Sequence, residues 1–210
     1  MPWHTVIQGQ SIASIAQEYG FTEWRKIFDH PENASLRKKR PQAEILFPGD
    51  EVFIPDKELQ EYPAATDKRH RFVALKPKAA KLQITVKDVE DKPIAGKAYK
   101  LTLDETLIFN GTTDGNGKLE VEIPVTAKEG MLEIENYKLP VRVSHLDPID
   151  EITGIQGRLH NLGYDCGPID GALSDKTIEA LTAFQQDVGL SATGDLDDAT
   201  RNKIKEKYGC

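Results

Sequence analysis

The spacing of apolar residues along this 210-residue chain changes twice, and each change marks a boundary that a single sheet or a single helical bundle cannot span. Ile12, Ile15, Ala16 and Tyr19 fall at 0, +3, +4 and +7, one face of a helix, with Ser11 suited to its N-cap and Gly20 to its C-terminal end. From Leu82 the rhythm becomes two: Leu82, Ile84 and Val86 alternate with polar neighbours. The same alternation returns at Tyr99, Leu101 and Leu103, at Leu119, Val121 and Ile123, and again over Met131 to Ile134 and Leu139 to Val143. After Asp147-Pro148 the helical period resumes. Ile152, Ile155, Leu159 and Leu162 fall at 0, +3, +7 and +10. Ser174 can cap a second helix bearing Ile178, Leu181, Phe184 and Val188, and Asp197 a third bearing Ile204 and Tyr208. The pattern predicts an α+β multidomain chain: a βααβ unit over 1–57, a linker over 58–81, a small antiparallel β-sandwich over 82–146 and a three-helix bundle over 147–210.

Within the first unit the reading places a strand at Thr5 to Ile7, a second helix at Glu23 to Phe28, and a second strand inside Ile45 to Pro55. Pro31 to Glu44, with the basic run Arg37-Lys38-Lys39-Arg40, reads as an inserted loop. The linker carries Pro63 and Pro77 and room for a short strand, Arg71 to Leu75. Asn110 to Lys118 faintly resembles a calcium loop, but it lacks a third carboxylate and a bidentate Glu at the proper offset. A hairpin with a type I′ turn explains its Asp-Gly and Asn-Gly pairs better.

Charge narrows the partners. Residues 147–210 hold 6 basic and 12 acidic side chains, which repels a polyanion at long range and argues against nucleic acid and anionic membrane surfaces. No apolar run approaches the roughly 20 residues that span a bilayer, so membrane insertion is not expected. Met1 leads into the first strand without a basic and apolar leader, so the expectation is synthesis in the cytoplasm without a classical signal peptide. His4, His30, His70, His145 and His160 are scattered over the chain, none with a second ligand at i+4, and no nucleophile-and-base signature is present. The chain is therefore expected to be non-catalytic and to hold no metal and no cofactor.

The opening His4-Thr-Val-Ile-Gln-Gly9-Gln-Ser-Ile12 and the ending Ile45-Leu-Phe-Pro-Gly49-Asp-Glu-Val-Phe-Ile-Pro55 resemble the two ends of the LysM family pattern. That resemblance implies binding of peptidoglycan or another N-acetylglucosamine-containing glycan in a shallow groove. The loops matching the family's groove are Gly9, Gln10, Ser11 and Ile12, and Leu46, Phe47, Pro48 and Gly49. Gln10 stands where the family has Asp. LysM units also hold protein in contractile-tail baseplates, which leaves a structural role open for residues 1–57. The middle segment, through Lys92-Pro-Ile-Ala-Gly-Lys-Ala-Tyr-Lys-Leu101 and Gly111-Thr-Thr-Asp-Gly-Asn-Gly117, is similar to transthyretin-like or carboxypeptidase-regulatory-like spacers.

The run Leu162-Gly-Tyr164, Ile169-Asp-Gly171, Thr177 to Leu181, Phe184-Gln185, Gly189-Leu190, Thr193-Gly194 and Asp197 to Thr200 resembles peptidoglycan-binding domain 1 over about 152–205. The family implies a non-catalytic wall anchor, with Tyr164, Asp170, Gln185 and Gln186 as surface candidates for glycan contact. Cys166, leaving the first helix of this unit, and Cys210, just past the third, are expected to lie close enough for a disulfide. Two free thiols are the alternative. The order of the three resemblances is similar to that of accessory proteins of type VI secretion or related contractile injection systems. It implies action in the periplasm or at the wall after delivery by such a machine, with spike, baseplate or effector proteins as further partners. Two alternatives stay open beside that adaptor reading: a structural component of an injection particle, and a wall-targeting partner of a lytic effector on another chain.

Overall fold

A computed structural model of the chain describes residues 2–57, 68–69, 79–90 and 92–209. Three separate apolar cores follow the three periodic regions of the sequence.

In the first, β1 (Trp3–Thr5) pairs antiparallel with β2 (Glu51–Phe53), in the register Trp3 opposite Phe53. Two helices follow β1: α1 (Ile12–Glu18) and α2 (Arg25–Phe28). Ser11 caps α1 as its sequence position suggests, in a reciprocal box with Ser14. The first strand ends two residues earlier than expected, and Ile7 is exposed. The stretch read as an inserted loop is helical. A 3-10 turn (Pro31–Asn33) leads directly into α3 (Ala34–Lys39), so the unit is not a plain βααβ. Leu36 is the buried residue of α3, too few apolar positions to register as a period. Asn33 holds the insertion in place: buried, it donates to the carbonyls of Ile27 (2.8 Å) and Phe53 (2.9 Å) and accepts from the Phe53 amide (2.8 Å).

The middle unit is two antiparallel sheets over one core. β3 (Ala79–Thr85) pairs with β6 (Lys118–Pro124). The second sheet has the order β5-β4-β7-β8, from β4 (Ala98–Leu103), β5 (Leu107–Thr112), β7 (Glu129–Ile134) and β8 (Tyr137–Arg142). Leu101, Leu103, Leu132 and Ile134 from one sheet share a core with Leu119, Val121 and Ile123 from the other and with Val86, just past β3. β5 and β6 lie in different sheets, so the segment read as a hairpin turn is a corner between sheets. Asp114 Oδ1 accepts from the amides of Asn116 and Lys118, both at 2.8 Å, and within Asp114 to Gly117 only Gly117 has a positive φ (+73°). A type I′ turn needs two such residues, so the type I′ assignment is replaced by an Asp-nucleated turn. The strand expected at Arg71 to Leu75 lies outside the described residues, as does most of the linker.

Three helices, α4 (Ile152–Asn161), α5 (Asp175–Asp187) and α6 (Asp198–Tyr208), enclose the third core of Ile155, Leu159, Leu181, Phe184 and Ile204. Ser174 and Asp197 cap α5 and α6 by accepting from the amides of Thr177 and Thr200. Ile178, expected inward, is 41% exposed, while the polar Thr177 and Gln185 are buried. Hydrogen bonding explains the exchange. Gln156 on α4 accepts from the amides of Asp170 (3.1 Å) and Gly171 (2.9 Å) and donates to the Ala172 carbonyl (3.0 Å). Gln185 on α5 accepts from the Gly194 amide (2.8 Å) and donates to the Asp195 carbonyl (2.9 Å) and Thr200 Oγ1 (2.9 Å). Each buried amide thus clasps the loop that leads into the next helix. Among the described residues no helix is long and apolar enough to cross a membrane.

Candidate functional site

Two surfaces carry residues singled out in the sequence. The first is the loop face of the N-terminal unit. The Val6 amide donates to the Asp50 carbonyl (2.8 Å), and the Gly49 amide to the Val6 carbonyl (2.9 Å), which sets the 8–12 loop beside the 46–50 turn. The sequence-predicted residues are brought together here, but they do different things. Ser11, Ile12 and Leu46 are buried: a cap, a core residue and another core residue. Ile12, fully buried, therefore offers no apolar floor at the surface. Gln10 is spent locally, its Oε1 accepting from the Ile7 amide (3.0 Å) and lying 2.9 Å from His4 Nε2, and its Nε2 reaching Glu18 (3.3 Å). His4 also touches the Tyr19 hydroxyl (3.2 Å). Phe47, Pro48 and Gly49 are left to form the accessible rim, and Gly9 lies partly covered beside His145.

Behind that rim sits a buried charge cluster that sequence reasoning missed. Arg40 and Asp50 side chains are each 1% exposed, with Nε to Oδ2 at 2.9 Å. Lys39 takes the other Asp50 oxygen (2.9 Å), and the Phe47 amide donates to Oδ2 (2.9 Å). Burial pushes the Asp50 carboxyl upward, but the hydrogen bonds from Arg40, Lys39 and Phe47 outweigh it and hold it below the ordinary carboxylate value. The Arg40 guanidinium lies 5.5 Å from the Phe47 ring centre and reaches two further acids, Asp150 and Glu151, on another unit. The basic run was the available signal, though nothing local in the sequence identifies these distant partners.

The second surface is a cleft of 720 Å³ between the C-terminal helices and the sandwich. Leu162, Tyr164, Phe184, Asp187, Val188 and Lys207 line one wall, and Lys87, Asp88 and Val89 the other. Tyr164 is half-buried. Its ring meets Phe184 edge to face (5.6 Å), and its hydroxyl donates to Asp187 (2.8 Å). That arrangement presents an aromatic surface with a fixed polar tip beside both signs of charge, a set suited to a polar ligand with apolar patches. Of the other three predicted contacts, Gln186 is exposed on α5 and Asp170 exposed in the 170–172 loop. Asp170 Oδ1 accepts from the Ala172 amide (2.9 Å) and from Gln156 (3.3 Å), bonds that hold its carboxyl below the usual range. Gln185 was expected at the surface and is buried, its amide committed to the 193–195 loop. None of these three lines the cleft with Tyr164.

Cys166 is a buried thiol whose Sγ lies 3.3 Å from the Gln156 carbonyl, and burial pushes its pKa up. Cys210, its expected disulfide partner, lies outside the described residues. Among those residues no group of three or more His, Cys, Asp and Glu side chains is placed to hold a metal ion.

No curated protein and no solved structure gives a significant match to the chain. Residues 149–204, which contain the core of the C-terminal helices and Tyr164, match the family model described as "Putative peptidoglycan binding domain", and this match supports peptidoglycan as a partner.

Proposed function

We propose that the protein is a non-catalytic peptidoglycan-binding adaptor whose wall contact is the cleft beside Tyr164. The observation that carries this reading is the family match over 149–204, together with the half-buried aromatic side chain of Tyr164 on that matched unit, at the wall of a cleft. A sugar's apolar face can stack on the Tyr164 ring while Asp187 and Lys207 answer its hydroxyls and carboxylates. In this reading residues 1–57 are a LysM-like unit, and residues 82–146 a spacer of the transthyretin-like or carboxypeptidase-regulatory-like kind. The order of units supports service to a type VI secretion or related contractile injection system at the cell wall, with a spike, baseplate or effector protein as the other partner.

Sedimentation with protein-free sacculi tests the reading. The full chain should pellet with them. Tyr164→Ala should weaken retention by about tenfold, the scale of one aromatic anchor, while Tyr164→Phe should retain most of it. Full-length protein that stays in the supernatant overturns the proposal. One observation favours a second reading for the N-terminal unit, contact with protein rather than sugar: part of its loop face is already covered by residues of this chain, as His145 lies against Gly9.

A further inference from the structure

We infer that the loop face of the N-terminal unit is a docking site for an acidic segment that ends in a turn, filled in cis by the strap His145–Glu151, which covers Gly9. Arginine is almost never buried unless its charge is answered. Within its own unit Arg40 meets one carboxylate, Asp50, and Lys39 shares that one. The remaining guanidinium nitrogens are answered from the strap, Nη1 by Asp150 (3.1 Å) and Nη2 by Glu151 (3.3 Å). Asp150 keeps 63% of its side chain exposed and Glu151 36%, so these acids lie at the rim above a buried cation. At the same face Gln8 Nε2 donates to the His145 carbonyl (3.1 Å) and to Asp147 Oδ1 (3.3 Å).

Gly9 completes the fit. A Cβ there would stand 2.8 Å from His145 Cε1, and the residue's φ is +84°, so both backbone and space call for glycine. His145 is itself oriented by Nδ1, 2.9 Å from the Val143 carbonyl.

The strap belongs mechanically to the C-terminal unit. Arg158 donates to the Asp147 carbonyl (2.8 Å) and Arg201 to the Ile149 carbonyl (2.7 Å). Gly154 on α4 lies so close to the carbonyls of Asp147 and Pro148 that a side chain there would strike them. Release of the N-terminal unit is therefore a rigid separation of that unit from the strap, with the strap staying on the helices. Asp147, Asp150 and Glu151 give the strap its charge, and Arg40 with Gln8 define what the face selects: carboxylates presented from the turn Pro148–Glu151 and the residue before it. A glycan cannot approach Gly9 while His145 covers it; this consequence rests on the LysM-like reading, whereas the docking does not.

The test uses the full chain and the substitutions Asp150→Lys with Glu151→Lys, which turn attraction to Arg40 into repulsion. Gln8→Ala is a second, milder variant at an exposed position. Small-angle scattering should show a larger radius of gyration for the double variant than for the native chain, with circular dichroism unchanged. Titration with a tetramer of N-acetylglucosamine should give at least about tenfold tighter binding to the open variant, because the closed form withholds the competent state. Gln8→Ala should move both readouts in the same direction by less. A double variant and a Gln8→Ala chain that both scatter like the native protein overturn the docking. Opening without any gain in tetramer binding supports the docking and removes the glycan reading of the groove. Failure of the native chain to pellet with sacculi while the double variant still opens overturns the wall-binding function and leaves the docking supported.

Discussion

The C-terminal helices and the N-terminal unit answer their buried polar side chains from different places: even the fully buried Arg158 of the helices donates to carbonyls of its own unit, those of Asp147 and Gly154 (both 2.8 Å). Gln156 and Gln185 are neutral amides whose donors and acceptors are satisfied by loops of the same unit, at 2.8–3.1 Å for their closest bonds. Arg40 is charged, and its own unit answers only part of it. A neutral amide costs little to bury once its few bonds are made, so it can complete a small self-contained core. A guanidinium has five donors and a full charge, and a unit of under 60 residues has few internal groups to meet them. The comparison teaches where independence ends: the C-terminal unit closes on itself, and the N-terminal unit is completed by a neighbour.

Substituting Arg40 by Ala should break this contrast most. It leaves Asp50 buried with only Lys39 and the Phe47 amide to answer its carboxylate and removes the tie to Asp150 and Glu151, at a cost of about 3–5 kcal/mol. Native-state hydrogen exchange should show the loss at the Val52 amide and spare the Leu181 amide. Equal loss at both positions would mean that the C-terminal helices depend on the dock as well.

Gln185→Ala should come next, at about 1–3 kcal/mol, since the Gly194 amide is left buried without its acceptor. Its effect should stay within 147–210. Chemical denaturation followed by exchange at Leu181 measures it, and spread of the loss to Val52 would contradict the self-contained reading.

The smallest expected effect is that of acid. Asp50 has its folded pKa below the unfolded value, so it contributes stability above the ordinary carboxylate range, and that contribution disappears as pH falls through the depressed value. Gln156 and Gln185 do not titrate, although the exposed Asp165, Asp170, Asp197 and Glu206 of the same unit are also held below their usual values and weaken in the same direction, damped by solvent. Exchange at Val52 should therefore accelerate more than at Leu181 as pH is lowered from about 5 to below about 3.9. An equal acceleration would erase the distinction between charged and neutral burial.

Much of the fold was legible because local rules and tertiary outcome coincide. The caps at Ser11, Ser174 and Asp197 formed where the sequence places them, and the period of two over 82–143 became strands. The matched family over 149–204 lies within the helical region read from spacing. Helix α3 escaped notice because basic residues surround its one buried apolar position, Leu36. Gln185 was misplaced at the surface because a polar letter at an inward position reads as outward until the loop it clasps is known. The 114–118 turn was assigned to a hairpin because turn chemistry specifies how the chain reverses locally and says nothing about which strand pairs with the next.

The sequence by itself determined three periodic regions and the capped helix starts at Ser11, Ser174 and Asp197, since capping, periodicity and turn preference act within a few residues. Only the tertiary structure decided that β6 leaves β5 to pair with β3, that Tyr164 stands in a cleft, and that Arg40 is buried under acids 110 and 111 residues away. The physical reason is range. A charge finds its partner through space at a few ångströms, and no local pattern in a chain encodes a neighbour that far along it.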